Sequence, residues 1–530
     1  MAGIAAAFKL PDSVSDETVL SRLGKMAAKL ANRGQCGADL LVFMEKTGTT
    51  RYRSNCLPSK YIPIEQSEYS ITISHPASVG LAHIHSHTPV KSDPSNVQPR
   101  SNSEFNHNEK NTFISISLNG ALANGHDLKD ELQKHGILPR GNDDAEIFMR
   151  FVELICRRDY WKFGEPINYK KVFREIDLRI DGAVSALLLD GHGNLVAYRN
   201  QGGIRPLDFM TTTDKFILFA SENGAFIDFD GEYEEVLPSH IKVIDAQTGL
   251  LTDHFVGDEK HPATLCAFES IYIGNLETKN KNQCHESTRY KIGSELSELV
   301  PQKIGYGPHR EKIIISSMPD TGRPYADGLF SQLSKKDPEN YERAEVVRLN
   351  LSQRTLISDA HQRKSLINQK YQVIDVRVSG RMIVIVDEAL IRADTSKDVT
   401  QKLIDAGASG VHWMIGSPPI IAPNYYGVGI QHMEELAFWK IWRRLPDHIR
   451  QCGLSLQNMD PSMIRIIEQE IALFIKADSV TYLPLRSLIA VLPGADDCND
   501  LSPFTLRMPT QSGLRMAARN FHKIVVEKTV

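Results

Sequence analysis

The chain has 530 residues, 41% apolar and 24% charged, proportions of an ordinary soluble globular protein with room for two domains of about 200 to 260 residues. Its 61 basic and 65 acidic residues leave a formal charge of −4, which excludes a global field that would gather nucleic acid or a membrane surface; a phosphate ligand would need a local site. Seven scattered cysteines without a C-x-x-C pair argue for a reduced, cytoplasmic protein, no run reaches the roughly 18 apolar residues that span a bilayer, and the apolar start lacks the basic region of a secretory signal.

In chain order, the first half reads as strands interrupted by helical stretches. Residues 16–31 carry apolar side chains at helical spacing (Val19, Leu20, Leu23, Met26, Ala27, Leu30) behind acidic Asp16 and Glu17, and 145–156 do the same. Short alternating or apolar runs at 69–73, 113–118, 184–189, 216–220 and 240–244 read as strands, and Gly191-His192-Gly193-Asn194 as a hairpin turn. Polar 92–110 has no apolar period and reads as a long loop. Two stacked antiparallel sheets with flanking helices fit this α+β half.

The second half changes character. Lys312-Ile313-Ile314-Ile315 and Met382-Ile383-Val384-Ile385-Val386 are continuous apolar runs, as expected for parallel strands buried on both faces. A helical stretch at 398–406 and a strand Val411-His412-Trp413-Met414-Ile415 follow, the β-loop-α-β rhythm of a doubly wound α/β sheet whose ligands bind at the carboxyl ends of its strands. We divide the chain into domains over 2–255 and 256–530, with a mostly helical extension past 430 in which 433–443 and 461–475 are the best helices.

The motifs Ala2-Gly3-Ile4, Asn32-Arg33-Gly34-Gln35, Gly80-Leu81-Ala82-His83-Ile84-His85, Leu118-Asn119-Gly120 and Asp143-Asp144-Ala145-Glu146 follow one another along the first half. That order resembles the glutaminase half of the glutamine phosphoribosylpyrophosphate amidotransferase family, an Ntn-hydrolase domain. Glutamine hydrolysis needs a nucleophile, a base, donors for the tetrahedral oxyanion and clamps for the amino-acid head group. The resemblance implies that Ala2 stands where the family has its nucleophilic cysteine, that Asn119 and Gly120 supply oxyanion donors, and that Arg33, His85 and Asp144 contact glutamine. Arg205-Pro206 and Ser221-Glu222 also resemble family signatures. A methyl group cannot attack a carbonyl, so Ala2 predicts loss of the thiol route, by natural divergence or by an engineered exchange; His85 in place of the family's arginine favours divergence. His83, His85 and His87 share one strand face, a spacing that would suit zinc, but they read as polar lining of the pocket.

The second half resembles the family's type I phosphoribosyltransferase domain. Val386-Asp387-Glu388-Ala389-Leu390-Ile391-Arg392-Ala393-Asp394-Thr395-Ser396 matches its strand-loop-helix donor motif. The resemblance implies that Asp387 and Glu388 hold the ribose hydroxyls or Mg²⁺, and that the loop through Arg392, Asp394, Thr395 and Ser396 cradles the 5′-phosphate. Ala393 replaces a glycine, and Asp394 puts a carboxylate where a hydroxyl should donate to phosphate. Asp320, in Met318-Pro319-Asp320-Thr321-Gly322, corresponds to the loop facing pyrophosphate, while Arg354, Arg363 and Lys370 follow the pattern of the mobile lid and donor site. Ser417-Pro418-Pro419-Ile420 and Tyr426-Gly427 match as well. With Asn424 in place of a second cysteine beside Cys266, and Cys498 alone, four thiolates cannot be assembled and no iron-sulfur cluster is expected.

Two functions are implied. One is an amidophosphoribosyltransferase-like enzyme that moves ammonia or amine nitrogen onto an activated phosphoribosyl donor, in purine or specialised biosynthesis, with glutaminase activity abolished at Ala2. The other is a pseudoenzyme scaffold that binds glutamine or nucleotide. Expected partners are glutamine or an amine and phosphoribosyl pyrophosphate or a related donor with Mg²⁺, with no nucleic acid or membrane; the family's habit implies a homo-oligomer.

Overall fold

A computed structural model describes residues 2–34, 37–54, 77–85, 98–141, 143–259, 263–300, 312–349, 370–430, 432–451, 461–494 and 499–525. The chain forms two compact units, one of residues 1–266 with 425–429 and 509–513, the other of 267–424, 430–508 and 514–530.

The first unit contains β1 (Ala2–Lys9), α1 (Val19–Lys29), β2 (Ala38–Met44), β3 (Gly48–Ser54), β4 (Val79–His85), β5 (Arg100–Ser101), β6 (Ile114–Leu122), α2 (Gly125–Lys134), α3 (Asp144–Asp159) and α4 (Tyr169–Arg179). It continues through β7 (Gly182–Asp190), β8 (Leu195–Arg199), β9 (Asp208–Thr212), β10 (Phe216–Ala220), β11 (Gly231–Glu235), β12 (His240–Ile244) and β13 (Leu251–Phe255). One sheet runs β11-β9-β10-β1-β4-β2-β3 and the other β13-β12-β8-β7-β6-β5. The period of two decides which core each side chain enters. Along β1, Ile4, Ala6 and Phe8 pack between the sheets against Leu187, Leu189 and Leu195, while Ala5 and Ala7 face α1 through Leu23 and Ala27. Beneath the second sheet, Ile116 and Leu188 pack on Phe148, Val152 and Phe173 of α3 and α4. The result is the expected helix-sheet-sheet-helix stack.

Local signals set the helix ends. Thr18 accepts a hydrogen bond from the Ser21 amide, so α1 begins at Val19 rather than at the expected 16. Asp143 caps α3 by accepting from the amides of Ala145 and Glu146. The expected strands at 113–118, 184–189, 216–220 and 240–244 lie in β6, β7, β10 and β12; the expected strand at 69–73 falls outside the described residues. The described part of the expected 92–110 loop contains the short β5, because Arg100 and Ser101 pair with Ile116 and Ser115 at the edge of the second sheet.

The second unit has a five-stranded sheet of Tyr341–Arg343, Ile313–Ser317, Met382–Asp387, Gly410–Ile415 and Ser479–Tyr482, in that spatial order and parallel throughout. Helices Arg323–Lys336 and Asp394–Asp405 follow the strands Ile313–Ser317 and Met382–Asp387. The helix at Pro461–Ile475 forms as expected, but 433–443 does not form a continuous helix. Leu436 is extended (ψ 140°) between a 3-10 turn at Met433–Glu435 and a short helix at Ala437–Ile441. Met433, Leu436, Phe438, Trp439, Ile441 and Trp442 are all buried, so tertiary packing rather than one apolar stripe sets the backbone there.

Candidate functional site

In the first unit, β1, β4 and β6 converge on one polar cluster. Ala2 is 9% exposed and lies opposite His85 in the β1–β4 register, so the two side chains share the face turned toward the second sheet. The Ala2 amide nitrogen is 3.4 Å from Asn119 Oδ1 on β6. Asn119 is fully buried, and its Nδ2 has no hydrogen-bond partner among the described residues. A buried amide donor without a partner is costly, and an incoming oxygen would satisfy it.

Gly120 holds the adjoining backbone at φ 137°, and a Cβ there would come 1.8 Å from the Ala183 carbonyl oxygen of β7. Gly427, which packs in the same unit, could not carry a Cβ either without coming 2.9 Å from the Gly120 backbone. These two glycines let three backbone segments meet at the cluster.

His85 Nε2 is 3.0 Å from Asp39 Oδ2 on β2, with Asp39 1% exposed. His83 Nδ1 is 3.1 Å from Ser117 Oγ, and the two imidazoles lie 4.8 Å apart between centroids. Burial first, then the neighbouring His85, pushes the His83 pKa well below the ordinary imidazole value, so this ring is neutral. His87 lies outside the described residues.

Arg33 is buried with its Nε 3.2 Å from Glu222 Oε1, which also accepts from Asn32 Nδ2 at 2.7 Å. Ser221, next along the chain, accepts from the Ile4 amide at 2.9 Å, which ties this acidic corner to β1. Asp144 sits at the first turn of α3, and burial raises its carboxyl pKa to about 6 despite a hydrogen bond from the Leu122 backbone. Asp39 and Ser117 were partners that motif reading did not name, whereas Glu222 belongs to the Ser221-Glu222 signature without having been given a role there. A lone carboxylate such as Asp39 within the apolar run Ala38–Met44 was the available signal, since burying it requires a partner.

In the second unit, the site assembles at the carboxyl ends of adjacent parallel strands. The Met318 amide donates to the Val386 carbonyl at 2.9 Å, and a Cβ on Gly322 would come 2.6 Å from that same oxygen. The Met318–Gly322 turn is thereby pressed against the acidic pair. Glu388 is 8% exposed and accepts from Thr321 Oγ1 at 2.7 Å, while its amide donates to Asp387 Oδ1 at 3.1 Å. Burial, then the Glu388 charge, drives the Asp387 pKa well above the carboxylate range. Burial and the same two carboxylates push Tyr272 up to about 12, placing its phenol in their field. Burial lowers the Lys370 pKa and the Glu388 charge opposes it, while the ammonium lies 5.1 Å from the Tyr371 ring centroid. The two adjacent carboxylates are a hard oxygen donor set that suits Mg²⁺ held jointly with substrate phosphates.

The loop beyond the pair is closed by ion pairs. Ala393 adopts the left-handed conformation (φ 64°, ψ 5°) and Asp394 opens the helix Asp394–Asp405, followed by half-buried Thr395 and buried Ser396. Asp394 does not cap this helix; its Oδ1 lies 2.9 Å from Lys440 Nζ. Arg392 Nε donates to Glu435 Oε2 at 2.6 Å. Asp320 remains largely exposed, 3.9 Å from Arg323. Arg354 and Arg363 lie outside the described residues, as does Cys498; Cys266 is buried. No helix among the described residues is long and apolar enough to cross a membrane.

Comparison with known proteins bears on both units. Residues 91–228 match the model of a glutamine amidotransferase domain. The amidophosphoribosyltransferase of Pyrococcus horikoshii is 29% identical over 329 residues, 62% of this chain and 67% of the relative. That of Archaeoglobus fulgidus is 26% identical over 358 residues, 67% of this chain and 72% of the relative. The chloroplastic enzyme of Glycine max is 26% identical over 430 residues, covering 80% of this chain and 65% of the relative. Among solved structures, the Bacillus subtilis glutamine phosphoribosylpyrophosphate amidotransferase complexed with ADP and GMP superposes with a TM-score of 0.72 at 20% identity, over 96% of this chain and 98% of that one. A structure described as the allosteric regulatory enzyme of purine biosynthesis gives 0.73 at 20% identity, over 96% of both chains.

Proposed function

Because this chain belongs to the amidophosphoribosyltransferase family, we propose that its parallel-sheet unit transfers an ammonia or amine nitrogen to an activated phosphoribosyl-type donor, and that its sandwich unit keeps a glutamine-shaped pocket without thiol chemistry. The observation that carries this reading is the position of Ala2. Its backbone meets Asn119 and its side chain shares a face with His85, so a methyl group stands where an attacking atom would be needed.

In this reading Asn119 Nδ2 donates to a carbonyl oxygen of the ligand, Asp144 takes its ammonium, and Arg33 with Glu222 forms the buried wall behind it. In the other unit Asp387 and Glu388 position the ribose hydroxyls, Thr321 fixes Glu388, and Lys370 supplies positive charge for a departing diphosphate. Bound Mg²⁺ would neutralise that diphosphate. A specialised biosynthetic step fits the changes in both sites better than housekeeping purine synthesis.

A second reading, a scaffold that binds glutamine or nucleotide without turnover, draws support from the Asp394–Lys440 pair, which puts charge of both signs where phosphate alone is expected. One assay separates the two. Phosphoribosyl pyrophosphate with Mg²⁺ is offered either ammonium chloride or glutamine, and phosphoribosylamine is measured. Product from ammonia, none from glutamine, and a gain of glutamine-driven turnover in Ala2→Cys is the expected pattern. Binding of both ligands without product from ammonia would favour the scaffold, and rapid glutamine-driven product from the unaltered chain would overturn the proposal.

A further inference from the structure

We propose that Asp39 and His85 form a general-base dyad that activates water, making the sandwich unit a hydrolase of γ-esters or γ-thioesters of glutamate-like amino acids. The inference rests on the reading that this pocket takes a glutamine-shaped amino acid. It adds an attacking atom that the reading lacks.

Three independent features of the cluster converge. The Asp39 carboxylate is almost wholly buried and lies 3.0 Å from His85 Nε2, so the Nε2–H donates to it and the ring's lone pair is left on Nδ1. A carboxylate behind an imidazole fixes the tautomer and stabilises the imidazolium that forms when the ring takes a proton. His85 is opposite Ala2 in the strand register, and its side chain retains 10% exposure, so the ring borders the pocket rather than the core. Ala2 carries a single side-chain carbon on that shared face, which the proposed water would adjoin. The third feature is Asn119, whose Nδ2 is buried without a partner among the described residues and lies on the strand that meets Ala2. A base and an oxyanion donor thus both border Ala2.

The chemistry closes without a covalent intermediate. His85 Nδ1 removes a proton from water as the water oxygen bonds to the acyl carbon, and Asn119 Nδ2 donates to the developing oxyanion. The acyl–oxygen or acyl–sulfur bond then breaks, and the imidazolium returns its proton to the departing alkoxide or thiolate. Products are the γ-carboxylic acid and an alcohol or thiol. An ester or thioester is favoured over the carboxamide because its leaving group departs as a weaker base. An amide must have its nitrogen protonated before cleavage, a step that the single dyad does not drive well in the absence of a covalent acyl-enzyme. The same reasoning lets the pocket bind glutamine without consuming it.

The full chain is incubated with glutamate γ-methyl and γ-benzyl esters in H₂¹⁸O, and release of alcohol and labelling of the γ-carboxylate are followed. The expected result is saturable hydrolysis with one ¹⁸O per product. His85→Gln should lower kcat by about 100-fold or more, and Asp39→Asn should lower kcat about tenfold with KM unchanged. His85→Gly should regain turnover when imidazole is added, a rescue that mere structural support would not give. Hydrolysis no faster than in buffer, or unchanged in His85→Gln with an intact fold by circular dichroism, would overturn the dyad. Competition by glutamine tests the underlying reading separately. His85-dependent hydrolysis that glutamine does not inhibit would keep the dyad and remove the glutamine-shaped pocket, whereas glutamine binding without ester hydrolysis would do the reverse.

Discussion

Lys440 Nζ lies 2.9 Å from Asp394 Oδ1 and 2.8 Å from the Arg392 carbonyl oxygen, so one ammonium bridges the helix-opening carboxylate and the loop before it. An unpaired carboxylate at ~5 Å would repel a phosphate charge by about 3 kcal/mol at an effective dielectric near 20. Pairing with Lys440 cancels much of that repulsion. Replacing the carboxylate by a hydroxyl should therefore do more than remove a negative charge: Asp394→Ser frees Lys440 for the ligand. Affinity for ribose 5-phosphate is expected to rise about tenfold or more in this variant, and to fall in Lys440→Met. Titration calorimetry at one low salt concentration checks this, and equal affinities in all three proteins would remove the loop from phosphate recognition.

Asp144 titrates near pH 6 because it is buried. It binds an ammonium group only as the carboxylate, so the sign is fixed: glutamine affinity should be constant well above pH 6 and weaken up to tenfold per pH unit below it. Asp144→Asn should bind weakly with no such slope. A binding profile flat from pH 5 to 8 in the unaltered protein would separate Asp144 from the ligand.

Gly120 tolerates no side chain. With φ at 137° and the Ala183 carbonyl 1.8 Å from a notional Cβ, Gly120→Ala must displace β6 from β7. We expect a loss of about 3 kcal/mol or more in stability, or failure of the unit to fold, measured by denaturant melts. Gly136→Ala is the matched control, since that glycine also has positive φ (73°) but meets nothing within 4 Å.

Asp208 is held protonated to about pH 8, by burial first and then by Glu235, with Glu222 adding and Arg199 opposing. The folded state keeps a proton that the unfolded chain loses near the ordinary aspartate value of 3.8, so this residue makes stability fall as pH rises from about 4 to 8. Asp208→Asn retains an acceptor for Asn223 Nδ2, 3.4 Å away, and removes the slope. Its Tm should exceed that of the unaltered protein at pH 8, with the gap narrowing toward pH 4. A gap independent of pH would assign the effect to packing instead.

Much of the architecture was legible as pattern. The apolar runs at 184–189 and 382–386 could be nothing but buried strands, and the change from alternating to continuous apolar runs marked the change from antiparallel to parallel sheet. The acidic pair Asp387-Glu388 was legible because both partners are adjacent in the chain and end a strand. The region 433–443 was not, because burial on every side erases the helical period.

The sequence by itself determined the elements, their order and the presence of Ala2, since periodicity and covalent identity are local properties. Tertiary structure alone decided that Asp39 meets His85 and that Asp394 meets Lys440, pairs each separated by 46 positions. Strand register and helix packing bring such residues together, and a buried or half-buried charge then selects whichever partner that packing supplies.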